Sequence, residues 1–163
     1  MGEAVPFDAR TEAISPMMFD ESTRIAQFVA DGHLLPDMVQ AAIDADYDAL
    51  MFHGTGLGHL PIADPQEDSP ENTRLRIMLA DHCAAGGVVV VVTQTIHGPV
   101  HMDVYDKGRD QQDMGIIGHG SLCPPSSALV KLHHLLSLDE GRDAVAEGWM
   151  QDLVGENPPD SFS

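Results

Sequence analysis

The sequence Ala49–Leu50–Met51–Phe52 is followed, after His53, by Gly54–Thr55–Gly56–Leu57–Gly58–His59–Leu60–Pro61. The apolar run is typical of a buried strand, and the closely spaced glycines predict a backbone that turns tightly or is closely approached by other atoms. Loops of this kind, at the carboxyl ends of strands, bind ligands or partners in open α/β sheets. The loop is not a dinucleotide fingerprint, because His59 replaces the third glycine, and it is not a P-loop, because no Gly-Lys-Ser/Thr follows. It is therefore either a plain structural turn or a loop that contacts a ligand or partner.

Three apolar segments predict the strands of a mostly parallel sheet. They are Ile25–Val29, Tyr47–Phe52 and Val88–Val92. The last consists of five consecutive valines, which is typical of a central strand buried on both faces. Val100–Tyr105 is either a short fourth strand or an extended segment. Alternation with helices predicts an α/β domain, a small doubly wound (flavodoxin-like) sheet of about four mostly parallel strands with helices on both faces.

Proline, serine and glycine positions predict where the helices begin and end. The expected starts are Pro36, Ser69–Pro70 with the serine hydroxyl as cap, Pro124–Pro125, and Asp139 as the cap of a last helix. A short helix over Arg109–Met114 is expected to end at Gly115. In the last helix, Val145, Trp149 and Leu153 are expected on one buried face.

The chain has 163 residues, about one domain. We expect this domain to span residues 23–156, between a linker or disordered arm (1–22) and a tail (157–163). Met17, Met18 and Phe19 are candidates for docking onto it. The sequence shows no charged-then-apolar leader and no apolar run near the ~20 residues of a membrane helix, so a cytoplasmic protein is expected. Cys83 and Cys123 form no Cys-x-x-Cys motif, which favours free thiols.

The chain carries 26 acidic and 8 basic residues, a formal net charge of −18. This negative charge repels the phosphate backbone of nucleic acids, so direct binding of RNA or DNA is disfavoured. The periodic apolar segments argue against an acidic disordered chain. An acidic, lysine-poor surface on a folded domain resembles proteins of salt-loving organisms, in which high salt screens the repulsion.

Six groups of residues, in order and in spacing, resemble the carboxy-terminal domain of the asparaginase family. They are Gly54–His59, Thr93–Gln94 with His97–Val100, Val104–Tyr105 with Gly108–Arg109, Gly115–Ile117, Ala128–Leu132, and Asp152–Glu156. The resemblance covers roughly residues 23–156 and points to the archaeal branch, which includes the D subunit of Glu-tRNA(Gln) amidotransferase and L-asparaginase.

The resemblance implies one half of a two-domain enzyme that hydrolyses a side-chain amide with a threonine nucleophile and releases ammonia. In the family, a larger amino-terminal domain carries a Thr-Gly-Gly-Thr segment with the nucleophile and a His-Gly-Thr-Asp-Thr segment with a lysine further on. Neither segment occurs here, since His53–Gly54–Thr55–Gly56 matches only the opening of the second. Acyl transfer needs an activated nucleophile beside a base, so we expect this chain to be inactive alone.

The chain also departs from the family's pattern within the matched region. Gly98–Pro99–Val100 stands where the family has Gly-Arg-Val, so a planar cationic group is lost. Thr93–Gln94–Thr95 replaces Ser-Gln-Cys, Ser126 replaces a glutamate, and no asparagine lies near Leu57. These differences suggest a divergent copy, a detached domain or half of a split enzyme.

The expected site is a loop for substrate or subunit contact, with no catalytic residue, metal or cofactor assigned. Its residues are Gly54, Thr55, Gly56, Gly58, His59, Thr93, Gln94 and His97. Leu57, Leu60 and Pro61 are expected to be exposed there for association. The expected partners are a second copy of the chain, as a two-fold dimer, or a separate catalytic amino-terminal domain. Asparagine or glutamine is expected to bind only with that domain.

Two other functions are compatible with the sequence. One is a non-catalytic binding or oligomerisation module that kept the fold. The other is a stand-alone enzyme that uses His59, His97 and Thr93. A metal site would require His97 and His101 to converge with His59 or Asp103, and is not favoured because no ligand spacing such as HExxH is present. Lys131 is expected to form a structural ion pair.

We predict that the thermal unfolding midpoint rises substantially between 0.1 M and 2 M potassium chloride. The physical reason is that surface carboxylates repel one another until salt shortens the Debye length from about 10 Å at 0.1 M to about 3 Å at 1 M. Circular dichroism at increasing salt measures the midpoint. A midpoint that stays flat or falls would rule out the proposed adaptation to salt.

Overall fold

A computed structural model describes residues 19–138 and 140–157. It contains three strands, β1 (Ile25–Val29), β2 (Ala49–Gly54) and β3 (Val88–Thr93). It also contains five helices, α1 (Pro36–Asp44), α2 (Pro70–Ala84), α3 (Asp106–Asp113), α4 (Pro125–Leu136) and α5 (Arg142–Met150). Within these ranges, no helix has the length and apolar character needed to cross a membrane. Residues 1–18 of the predicted arm (1–22), the predicted cap Asp139, and residues 158–163 of the predicted tail (157–163) lie outside the described residues.

The strands form one parallel sheet in the order β1-β2-β3. The register places Ala49 of β2 beside both Ile25 of β1 and Val88 of β3. Sequential strand order with right-handed crossovers puts both connecting helices, α1 and α2, on the same face. The helices that follow the last strand, α4 and α5, cover the other face. The predicted α/β class, with a parallel sheet between helical layers, is confirmed.

Burial of β2 and β3 on both faces creates two cores, one on each side of the sheet. In the first, Phe52 and Val91 pack with Val39 of α1 and Leu79 of α2. In the second, the alternate strand residues pack against α4 and α5, where Trp149 is fully buried. Every residue of β3 is buried, as the run of valines predicts for a central strand.

Of the two alternatives for Val100–Tyr105, a short fourth strand or an extended segment, the structure shows no strand. Val100 does not join the sheet, because its backbone bonds to the loop after α3, accepting from Gly120 N at 2.8 Å and donating to Ser121 O at 2.9 Å. The fourth position is occupied instead by one residue, Ile117, which forms a parallel bridge to Val90. Two bonds hold this bridge, from Val91 N to Ile117 O at 2.8 Å and from Ile117 N to Val89 O at 2.9 Å.

Several element boundaries differ from the predictions, for local reasons. Strand β2 begins at Ala49 because Tyr47 still belongs to the turn after α1, where its N–H bonds to Ala42 O at 3.3 Å. The Ser69 hydroxyl does not cap α2. It bonds to the Asp68 carboxylate at 3.1 Å.

Two of the later helices are also shifted. Helix α3 begins at Asp106, earlier than the predicted Arg109, and its chain turns away at Gly115, where φ is +88°. Helix α5 ends at Met150, so Leu153 lies beyond it and is exposed rather than buried.

Both cysteines are buried free thiols, one in each core. Burial raises the pKa of Cys83, and it raises the pKa of Cys123 to about 11. Both side chains are therefore neutral at physiological pH. The expectation that they form no disulfide is confirmed.

A buried ion pair fastens the end of the described chain to α4, which confirms the role predicted for Lys131. Lys131 Nζ lies 2.8 Å from a carboxylate oxygen of Glu156, with side-chain exposures of only 2% and 8%. Lys131 also donates to the Gln151 carbonyl, and Glu156 accepts from Val154 N at 2.8 Å and from Leu153 N at 3.2 Å. Burial alone would raise the pKa of Glu156, but these donors hold it at about 2.

We predict that Lys131→Met lowers the free energy of unfolding by on the order of 3 kcal/mol, because it leaves a buried carboxylate without its cation. The double variant Lys131→Met/Glu156→Leu should recover most of this loss, since neither charge is then left alone. Urea unfolding at pH 7 measures both values. Equal losses in the single and double variants would show that the pair is not coupled.

The same pair also predicts a pH dependence. The folded pKa of Glu156, about 2, lies below its ordinary value of 4.5, so its stabilisation is complete above about pH 4.5. That contribution is lost as the pH falls towards 2. The stability difference between the natural chain and Glu156→Gln should therefore shrink over this range, and a constant difference would contradict the lowered pKa.

Candidate functional site

The carboxyl ends of the three strands meet at one edge of the sheet, here called the strand-end edge: the loops 54–61 and 93–99 together with Ala30. One glutamine side chain ties them together. Gln94 Nε2 donates to Ala30 O at 3.0 Å and to His53 O at 2.6 Å, while its backbone N–H donates to Gly54 O at 2.9 Å. The predicted site residue Gln94 is thus a structural link between the strand ends.

The glycine-rich loop folds back on itself. Thr55 and His59 form an antiparallel bridge, with N–H to O distances of 2.9 Å in both directions. A Cβ on Gly54 would lie 2.5 Å from the carbonyl carbon of Gly58, and a Cβ on Gly58 would lie 2.7 Å from Val100 Cγ1. The close approach that the glycines predict is therefore made by the protein's own atoms.

Gln111 of α3, which is not among the predicted site residues, holds this loop through two side-chain hydrogen bonds. Its side chain is fully buried, accepts from Leu60 N at 2.8 Å and donates to Gly58 O at 3.0 Å. One neutral amide thus satisfies a backbone donor and a backbone acceptor that would otherwise be buried without partners. No motif or spacing marks a glutamine within a short polar helix, so the sequence carries no signal for this role.

The threonine hydroxyls at the end of β3 are structural in this conformation. Thr93 is buried and donates to the Gly56 carbonyl, which joins the two strand-end loops. Its hydroxyl oxygen lies 2.9 Å from that of Thr95. Neither group is a base, so the contacts described for Thr93 do not activate it as a nucleophile.

His59 is a buried member of the strand-end edge, with an exposure of 4%. Its ring packs edge-on against Tyr105, with centroids 5.4 Å apart. Burial, assisted by the nearby charge of Lys107, lowers the pKa of His59, so the imidazole is neutral. Within the part of the chain that the structure describes, Nε2 has no hydrogen-bond partner. Its burial does not fit a base that meets substrate directly.

The apolar residues exposed at this edge are not those predicted. Leu60 is only 2% exposed and belongs to the core between the sheet and α1 and α2, so its expected exposure is wrong. Leu57 and Pro61 are half-buried. Ile96 is 92% exposed instead, in the loop that also carries exposed His97.

His101, Asp103 and His119 are the one group of possible metal ligands found among the described residues, with ligand atoms within 4.8 Å of one another. His119 Nδ1 accepts a hydrogen bond from Met102 N at 3.0 Å, which leaves the proton of the neutral ring on Nε2. That proton faces Asp103 Oδ2 at 3.4 Å, and Asp103 Oδ1 accepts from Gln112 at 2.8 Å.

This tautomer weighs against a metal at the same three residues. A metal-bound histidine ordinarily donates its second N–H to a carbonyl or carboxylate. Here the second nitrogen of His119 faces a backbone N–H, so binding through Nε2 would place two donors against each other. The cluster is better described as a polar contact between the segments 101–103 and 119.

The structure thus joins most of the predicted site residues into one network. Gly54, Thr55, Gly56, Gly58, His59, Thr93 and Gln94 are linked through backbone bonds and the side chains of Thr93, Gln94 and Gln111. His97 lies in the exposed loop beside them. The network links the strand-end loops to one another, and Ile96 is exposed in the loop after β3.

A family model described as the glutaminase/asparaginase C-terminal domain matches residues 26–148. The chain is 33% identical over 122 residues to the D subunit of glutamyl-tRNA(Gln) amidotransferase from Methanococcus maripaludis strain C5, a match that covers 74% of this chain and 26% of that protein. It is 30% identical over 124 residues to L-asparaginase 1 of Escherichia coli K12, covering 76% and 34%. The chain therefore spans about a quarter to a third of these relatives.

Solved structures show the same similarity. L-asparaginase I from Vibrio cholerae matches with a TM-score of 0.67 and 27% identity, covering 83% of this chain and 38% of that one. The thermostable L-asparaginase from Thermococcus kodakarensis matches with a TM-score of 0.68 at 23% identity, covering 84% and 38%. The second match supports the fold alone.

We predict that Gln111→Ala lowers the free energy of unfolding by about 1–3 kcal/mol, because it removes both bonds to the buried loop backbone. Amide hydrogen exchange at Leu60 should accelerate by more than the global loss explains. The matched control is Gln112→Ala on the same helix, which removes only a bond to the exposed Asp103 and should change stability little. Similar losses in both variants would show that the Gln111 contacts are not specific.

Proposed function

Because the chain belongs to the glutaminase/asparaginase C-terminal domain family, we propose that it is the non-catalytic half of an amidohydrolase. In this proposal, the strand-end edge completes an active site whose nucleophile is supplied by an amino-terminal catalytic domain. The observation that carries it is Ile96, which is 92% exposed in the loop after β3. A large apolar side chain left in water at a strand-end loop suits contact with another protein surface.

The chemistry of the described residues supports a non-catalytic role. Thr93 donates its hydroxyl proton to a backbone carbonyl, and His59 is neutral and buried, so neither offers the nucleophile and base that acyl transfer requires. The missing Thr-Gly-Gly-Thr and lysine segments point in the same direction. The stand-alone enzyme that would use His59, His97 and Thr93 is therefore less well supported.

The proposed substrate is the side-chain amide of asparagine or glutamine, acted on only with the catalytic domain. This follows from the names of the relatives, an L-asparaginase and a subunit of a glutamyl-tRNA(Gln) amidotransferase. Of these, only the second name includes a nucleic acid. The net charge of −18 opposes direct contact between this chain and tRNA, so any such contact would fall to a partner.

The proposed partner is a catalytic amino-terminal domain or a second copy of this chain, bound at the strand-end edge. Like-charged surfaces repel, so association should strengthen as salt screens the charge. We further propose that the functional unit spans residues 23–156 and works in the cytoplasm of a salt-adapted cell. The acidic, lysine-poor composition supports the proposed adaptation to salt.

The second candidate is a binding or oligomerisation module that kept the fold without serving an active site. Two observations favour it. Pro99 and Ser126 replace an arginine and a glutamate of the family pattern, and the glycine loop is filled by the chain's own atoms. The two candidates differ in whether adding a catalytic domain produces activity.

We predict that Ile96→Asp weakens association at 2 M potassium chloride by at least tenfold, because it places a charge in the apolar contact. The matched control is Ile77→Asp on α2, a side chain that is 57% exposed on a different element. Sedimentation or light scattering, alone and with an amino-terminal asparaginase domain, measures the affinity. A monomer under every condition, or equal effects of the two variants, would remove the strand-end edge from the interface.

An assay of ammonia release separates the two candidate functions. The purified chain alone should release no ammonia from asparagine or glutamine, and release should begin on adding the catalytic domain. Association without activity would favour the binding module. Ammonia release by the chain alone that is lost in Thr93→Ala would overturn both candidates.

A further inference from the structure

A groove of about 540 Å³ lies along α4. Its walls are largely apolar. They are formed by Phe19, Val130, Leu153 and Val154 together with Ser126, Ser127 and His134. Val154 is 81% exposed and Val130 is 55% exposed. Such a concentration of exposed apolar side chains indicates a surface that is covered by another segment.

The floor of the groove excludes a charged ligand. It is formed by Lys131 and Glu156, which neutralise each other at 2.8 Å. Each member of the pair also has other hydrogen bonds. Lys131 donates to the Gln151 carbonyl, and Glu156 accepts from the backbone N–H groups of Val154 and Leu153. The pair therefore has little capacity left for an ion, and an apolar occupant fits the groove better.

The described chain begins at one end of this groove. Phe19 stacks on the ring of His133, with centroids 4.9 Å apart and planes at 19°. Asp20 fixes this position, since its N–H bonds to Ser137 Oγ at 3.0 Å and its carbonyl accepts from His133 Nε2 at 2.8 Å. The two residues that precede Phe19 in the sequence are Met17 and Met18, so two apolar residues adjoin the residue that lies at this end of the groove.

We propose that the groove is the docking site of residues 14–18 of this same chain, with Met17 and Met18 covering Val130 and Val154. From His134 to Ser126, α4 advances about 12 Å. Four extended residues span about 13 Å, so the segment 15–18 has the length to lie along it. Pro16 favours an extended backbone before it and removes one N–H donor, both of which suit an apolar groove. Methionine adapts to irregular apolar surfaces.

Covalent connection favours this segment over a second copy as occupant. A tethered segment acts at an effective concentration in the millimolar range. Two copies of a chain with a net charge of −18 repel each other. The groove and the strand-end edge involve different residues, so this inference stands independently of the proposed function.

The first test compares serine variants in the full chain. Met17→Ser/Met18→Ser should lower the unfolding midpoint by on the order of 5 °C, because it removes the apolar contact. The matched control Met38→Ser changes a methionine that is 53% exposed on α1, and should leave the midpoint almost unchanged. Equal shifts in the two proteins would overturn the proposal.

A double-mutant cycle locates the contact. Val130→Ser should lower the midpoint in the natural chain and much less when Met17 and Met18 are already serine. Ile77→Ser, at a site of similar exposure on α2, should have the same effect in both backgrounds. Additive effects of the methionine and Val130 changes would overturn the proposal, since independent sites do not couple.

Nuclear Overhauser effects between labelled methyl groups give a readout that does not depend on stability. The methyls of Met17 and Met18 should show cross-peaks to those of Val130 and Val154 within one molecule. Cross-peaks found only between differently labelled chains would assign the groove to a second copy and overturn the proposal. Protection of the groove only after a catalytic domain is added would overturn it as well.

Discussion

Burial of β3 on both faces is the constraint from which the architecture follows. Five consecutive valines can leave water only if a layer covers each side of the sheet. The sequential order of the three strands places both crossover helices on one side. The chain after β3 must therefore return to cover the other side, which α4 and α5 do through Leu132 and Trp149. All three strands consequently end at one edge, and that edge is where a site can form.

Neutral amides, not charges, organise the strand-end edge. Gln94 joins the ends of the three strands, and Gln111 satisfies the buried backbone of the glycine loop. The chain has 26 acidic side chains. A carboxylate at either position has no N–H to donate, so it would repel the carbonyl oxygens that the glutamine now satisfies. The amides hold the loop in one conformation, which lowers the entropy cost of binding any partner there. The side-chain hydrogen bonds that Gln94 and Gln111 make at this edge therefore involve no titrating group.

The sequence predicted those features that depend on strong local patterns. The valine run, the glycine loop and the helix that begins at Pro36 were all located by composition and spacing. Leu60 could not be placed, because its burial depends on how the loop folds over the core rather than on its neighbours in sequence. Ile117 forms a bridge of only one residue to β3, too short for any periodic signal. Gln111 acts through backbone groups about fifty residues away, and such a contact leaves no mark in the local sequence.

The strand-end edge and the α4 groove have one feature in common: their polar groups are paired within the domain, and apolar side chains are left exposed. At the strand-end edge, the polar groups of the loops are satisfied within the domain, and Ile96 is left facing water. In the α4 groove, the ion pair of Lys131 and Glu156 is likewise satisfied internally, and Val154 is left exposed. Where polar groups are already paired, further burial gains free energy from the apolar side chains at little desolvation cost. Both surfaces are therefore suited to contact with protein segments rather than with ions or phosphate groups.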